Sequence, residues 1–159
     1  MNLPRLAFAL VIAFTALQAG ATPADKPVYD PALAAATGAD AHGMRAYVLV
    51  ILKTGPNKIP AGPERDEMFK GHMANIGRLV DAGKLAVAGP FVAQKGVPSD
   101  GWRGLFIFAV STVEEAQQLV ATDPVIQKGE MVAEYHPLYS SAALMLVKEG
   151  HGKVAKDSF

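Results

Sequence analysis

ERDEMFKGHMANIGRLVDAGKLAVAGPFV, residues 64–92, changes its period part-way along, and that change decides the fold. After Pro63, the residues Met68, Phe69, His72, Met73, Ile76, Leu79 and Val80 recur at helical spacing, and Gly83 supplies the stop. From Lys84 to Val92 the chain is short and apolar, with Gly89-Pro90 marking an edge, a bulge or a bend, so it reads as a strand. A main helix over 64–82 therefore hands directly to a strand over 84–92.

Working outward, RAYVLVIL (residues 45–52) is dense in β-branched and aromatic residues between Gly43 and the Gly55-Pro56 breaker, which predicts a central strand. Residues 94–103 form a polar loop with Gly96, Pro98, Gly101 and the only tryptophan, Trp102. LFIFAV (105–110) is the next strand. Ser111 or Thr112 caps a helix to about Ala121, with Glu114 and Glu115 in the first turn where the helix dipole favours acids. Asp123-Pro124 starts a further short turn that Gly129 ends, and MVAEYHPLYS (131–140) is the last strand, with Pro137 marking an edge or bend. The order β-α-β-β-α-β predicts an α+β domain: a four-stranded antiparallel sheet with both helices on one face. The apolar second face then needs a cover, and a second copy of the chain, making a homodimer, is the simplest one.

The ends read differently. One early positive charge, Arg5, precedes an apolar run at 6–17 and the small residues Ala19, Gly20 and Ala21, in the order of a secretory signal peptide over residues 1–21. The run is about a dozen residues, against the roughly twenty of a bilayer-crossing helix. The expectation is an exported protein, periplasmic or secreted, with no membrane attachment after cleavage. Residues 22–43, with Pro23, Pro27 and Pro31, read as a Pro/Ala-rich arm that no regular helix or strand occupies, and residues 148–159 as a flexible tail. The folded unit is then 44–147, one domain, with no cysteine and hence no disulfide.

Several classes of function find no support. Fifteen acidic and fifteen basic residues leave a formal net charge of zero, which offers no electrostatic footprint for nucleic acid. His42, His72, His136 and His151 have no metal-ligand spacing, so no metal is expected. No phosphate-binding or dinucleotide glycine motif and no serine nucleophile elbow occurs, and no cofactor is expected. A small-molecule ligand is the partner that remains.

His72 lies four residues from both Met68 and Ile76, on or beside the apolar stripe of the main helix. One reading is a core histidine bonded to a backbone carbonyl; the other is a general base oriented by a carboxylate. Asp123 is that carboxylate or the N-cap of the turn that Pro124 begins, and its two oxygens allow both roles together. His136 reads as a half-exposed strand histidine opposite Tyr135 and Tyr139, and Trp102 with Arg103 as a lid or a loop anchor. Gly71 and Gly77 suggest close approach of another backbone to the helix.

Gly71-His72-Met73, Asp81-Ala82-Gly83-Lys84-Leu85, Ala88-Gly89-Pro90-Phe91 and Asp123-Pro124, in that order, resemble the YCII-related family over about residues 45–146. The resemblance implies a ferredoxin-like fold that pairs through its sheets into a dimeric α/β barrel, with a cleft between helix and sheet. It also implies that His72 and Asp123 form an acid–base dyad. One relative removes hydrogen chloride from a chlorinated hydroxyquinol; related barrels include muconolactone isomerase. The signal, the arm and the lysine-bearing tail depart from the usual member. The function expected is an exported enzyme of proton abstraction, elimination or isomerisation, the alternative being a binding or sensing module of the cell envelope that does no chemistry. In a third reading the chain is a structural dimer and His72 only a core hydrogen-bonder.

Overall fold

The computed structural model describes residues 28–92 and 101–157; the expected signal peptide and most of the expected 94–103 loop lie outside the described residues. Four strands, β1 (Met44–Thr54), β2 (Leu85–Pro90), β3 (Trp102–Phe108) and β4 (Met131–Ser141), form one antiparallel sheet in the order β2-β3-β1-β4. Helix α2 (Pro63–Asp81) joins β1 to β2, and α3 (Val113–Val120) with the one-turn α4 (Pro124–Gln127) joins β3 to β4. This is the ferredoxin-like α+β arrangement that the sequence predicts.

The sheet order follows from composition. β1 is the most apolar strand and takes a central place, with Val48, Val50 and Leu52 on the helix side and Tyr47 and Ile51 on the other, all buried. β4 carries Pro137, which cannot donate to a ladder, and lies at an edge; β2, with Gly89 and Pro90, is the other edge and shifts register between Leu85 and Val87. The main core fills the space between sheet and helices: Val48, Val50, Leu52, Met68, Leu79, Phe106, Phe108, Val120 and Val125 are at most 3% exposed. Thr112 caps α3 by accepting the Glu115 amide at 3.2 Å, while Glu115 reaches back to the Ser111 amide.

Three expectations are corrected. Within the proposed unstructured arm, Pro31–Thr37 form a helix, α1, because proline in the first turn gives up no intrahelical bond. Asp30 caps the Ala32 and Leu33 amides at 2.9 and 3.0 Å, and Arg45 caps the other end through the Thr37 carbonyl. The proposed tail begins as a helix: a 3-10 helix (Ala142–Leu146) just before it runs into α5 (Val147–Val154), which Lys148 ties to Asp81. Finally, Trp102 and Arg103 belong to β3 and not to a loop, because the Thr54 amide bonds Gly101 and Trp102 pairs with Lys53. β3 correspondingly ends at Phe108, two residues earlier than its apolar run.

The 3-10 helix also bears on the second sheet face. Leu144 and Met145 pack with Leu138 over Tyr47, Ala86 and Ala109, so the chain covers one end of that face itself. Towards the other end Trp102 and Val132 remain exposed.

Candidate active site

His72 and Asp123 meet. Helix α2 carries His72 inward one turn after Met68, and α4 is so short that its N-cap, Asp123, sits against α2. The His72 Nδ1 lies 2.9 Å from Asp123 Oδ1 and 2.8 Å from Oδ2. Asp123 is fully buried and His72 9% exposed. Oδ1 also accepts the Val125 amide at 3.1 Å, so one carboxylate meets the imidazole and caps α4 at once. Gly71 explains the close approach: a Cβ there would lie 3.0 Å from Pro124 Cγ, whereas Gly77 faces open space, contrary to the expectation of a neighbour there.

The carboxylate is an acceptor, so the bond places the imidazole proton on Nδ1 and leaves the Nε2 lone pair free. Nε2 makes no hydrogen bond to another described residue, and the His72 side chain as a whole is 11% exposed. Phe69 meets the imidazole edge-on at 6.1 Å between centroids and Phe106 lies at 6.0 Å, giving the ring an aromatic surround. Asn75, one turn further along α2, donates to Asp123 Oδ2 at 3.5 Å while its oxygen accepts from Arg78 at 2.7 Å and Thr122 at 3.0 Å. Those two donors fix which way the amide points.

Two turns before His72, a second buried acid organises the same helix. Glu130, 3% exposed, accepts from Arg65 and from the Ile59 amide at 2.7 Å, with Arg103 at 3.9 Å. Burial, the largest effect, pushes its carboxyl up; the Arg65 and Ile59 hydrogen bonds and the two guanidinium charges together outweigh it and hold the pKa below the ordinary 4.5. The Arg65 guanidinium lies over the Phe69 ring at 4.7 Å. Sequence reasoning passed over Arg65, Asn75 and Glu130. For the first two the available signal was spacing, since Arg65, Phe69, His72 and Asn75 share one helix face.

Other candidates fall elsewhere. His136 is exposed on β4 and bonds Glu134, which Lys53 also holds; these hydrogen bonds, His136 first, lower the Glu134 carboxyl. Trp102 packs on Phe91 at 5.3 Å, as an anchor does. No group of three metal-ligating side chains and no helix long and apolar enough to cross a membrane occurs among the described residues. An open groove of about 460 Å³ runs along the outer seam of α2 and α4, lined by Glu64, Glu67, Met68, Gly71, Pro124 and Lys128; neither member of the dyad lines it.

No curated protein matches the chain. Among solved structures, it is similar to 5-chloro-2-hydroxyhydroquinone dehydrochlorinase from Burkholderia phenoliruptrix AC1100, solved in complex with 2,5-dihydroxybenzoquinone. The identity is 21% and the TM-score 0.39, over 59% of this chain and 90% of that one. The YCII-related domain model matches residues 46–137, more than half of the chain, in the stretch that contains both His72 and Asp123. The chain belongs to the YCII-related domain family.

Proposed function

We propose that this protein is an exported small-molecule enzyme in which His72 acts as a general base oriented by Asp123. The observation that carries the reading is the pairing of His72 Nδ1 with both oxygens of a fully buried carboxylate, with Nε2 unbonded among the described residues. Such a base takes a proton from a carbon next to a carbonyl. The C–H electron pair moves toward that carbonyl, and the ionised Asp123 faces the imidazolium that forms. Return of the proton elsewhere gives isomerisation; departure of a leaving group with its electron pair gives elimination. Export rests on the signal-like residues 1–21, and a homodimer through the rest of the second sheet face completes the proposal.

The test uses His72→Asn, whose side-chain amide keeps a donor for Asp123 and offers no basic nitrogen. With chlorinated hydroxyquinols and unsaturated lactones as the assay panel, turnover is expected to fall on the order of 10²- to 10⁴-fold with folding retained. Equal turnover in parent and variant removes the general-base role. A compound that raises the melting temperature of the parent and is recovered unchanged would favour the binding module.

A further inference from the structure

Arg65, Phe69 and His72 lie in contact along one face of α2, and the charge at the far end of that row is unbalanced. Glu130 is a single acid between two guanidinium groups, Arg65 and Arg103. The other described acids nearby do not restore the balance: Glu64 has Lys128 at 2.7 Å, Glu67 has Lys70 at 3.7 Å, and Asp66 is exposed. Among the described residues, Arg65 bonds only through Nη1, to Glu130 and to the Ile59 carbonyl at 3.2 Å, and the Arg103 guanidinium makes no hydrogen bond. Nε and Nη2 of Arg65, a quarter exposed as a side chain, therefore keep donors free. One aromatic ring, Phe69, separates these donors from the imidazole.

We propose that, on the reading of His72 as the base, the substrate is a compact conjugated acid, a phenolate, enolate or carboxylate, whose anionic oxygen Arg65 binds. Arg103 adds charge from behind Glu130. Phe69 flanks the apolar body of the substrate, and Nε2 of His72 meets the proton at its other end. A planar fork suits this task better than an ammonium, because it pairs with a carboxylate or enolate through two parallel bonds while its face stays on Phe69. The 4.7 Å from the Arg65 guanidinium to the Phe69 ring and the 6.1 Å from that ring to the imidazole suit a compact ligand.

The probes are benzoate and 2,5-dihydroxybenzoquinone, both anionic at neutral pH, with neutral benzamide as control, added to the mature protein. Binding is read by NMR from the His72 ring signals. Benzoate is expected to shift those signals and to bind at least about tenfold more tightly than benzamide. Arg65→Lys, which keeps a cation beside Glu130, should weaken benzoate about tenfold and leave benzamide unchanged. Arg103→Lys should weaken benzoate less than Arg65→Lys does. Equal affinity for benzoate and benzamide, an unchanged benzoate affinity in Arg65→Lys, or no binding of either acid up to its solubility limit would overturn the proposal. The base reading fails separately: anion binding that follows Arg65, with turnover indifferent to His72, keeps the anion site and discards the base.

Discussion

Asp123 and Glu130 are both buried carboxylates, seven residues apart, and both are met by a side chain from α2, yet they do different work. Glu130 faces arginine, which is always protonated, and its own carboxyl is held below the ordinary 4.5, so that pair is charged at neutral pH. Asp123 faces an imidazole, which can donate from one ring nitrogen and accept at the other. The two sites share a helix, a depth and a class of acid. The partner makes the difference: arginine sets a positive charge beside Glu130, which clamps the segment at Ile59 against the start of β4, whereas Asp123 meets an imidazole, the group on which the proposed base chemistry rests.

The sharpest way to break this contrast is Asp123→Asn. Asparagine still caps α4, so the fold is expected to persist, but it no longer selects the Nδ1-protonated tautomer or balances an imidazolium. Turnover is expected to fall on the order of 10³- to 10⁴-fold with a small change in melting temperature. NMR of the His72 ring nitrogens should show the tautomers mixing. A single Nδ1–H tautomer and parental turnover in the variant would place Asp123 with Glu130, as a structural acid.

Glu130→Gln is expected to do the reverse, leaving two arginines without their acid and lowering stability by about 3 kcal/mol at neutral pH. The sign of its pH dependence follows from the direction of its shift. A carboxyl held below 4.5 in the folded state contributes stability that is fully present above 4.5 and is lost as the pH falls through the lower folded value. Urea melts of the parent should therefore weaken in acid, and those of Glu130→Gln should weaken less over the same range. Parallel curves would show that Glu130 is not the acid responsible.

The frame of this contrast was legible in the sequence, and its second member was not. Pro63 and Gly83 bracket α2, Gly89-Pro90 and Pro137 mark the two edges, and the Asp123-Pro124 pair announces α4, all through local backbone chemistry. His72 stood out as a polar residue on an apolar stripe, and both readings of Asp123 prove compatible in one geometry. Arg65 and Glu130 lie 65 residues apart, and their pairing depends on the β1–β4 register, which no local spacing encodes. Trp102 and Arg103 were misplaced for the same reason, because only pairing with the end of β1 extends β3 back to them. The helix at Pro31–Thr37 was missed on an opposite fault: proline was treated as a breaker where, at the first position, it starts a helix.

The smallest expected effect separates helix chemistry from site geometry. Gly71 and Gly77 both interrupt α2, and alanine at either position gains about 0.5–1 kcal/mol in helix propensity. At Gly77 nothing lies within 4 Å of the added Cβ, so Gly77→Ala should raise the melting temperature slightly and leave turnover unchanged. At Gly71 the same methyl meets Pro124 Cγ at 3.0 Å, and the ring of Pro124 cannot swing aside as a flexible chain would. Relief requires α4 to move by a few tenths of an ångström, carrying with it Asp123, the residue next to Pro124. Gly71→Ala should therefore gain little or lose about 1 kcal/mol in stability. It should also lower turnover, because a shift of Asp123 disturbs the Nδ1 contact with its two oxygens. Equal behaviour of the two alanine variants would mean that the distance between α2 and α4 does not control the dyad.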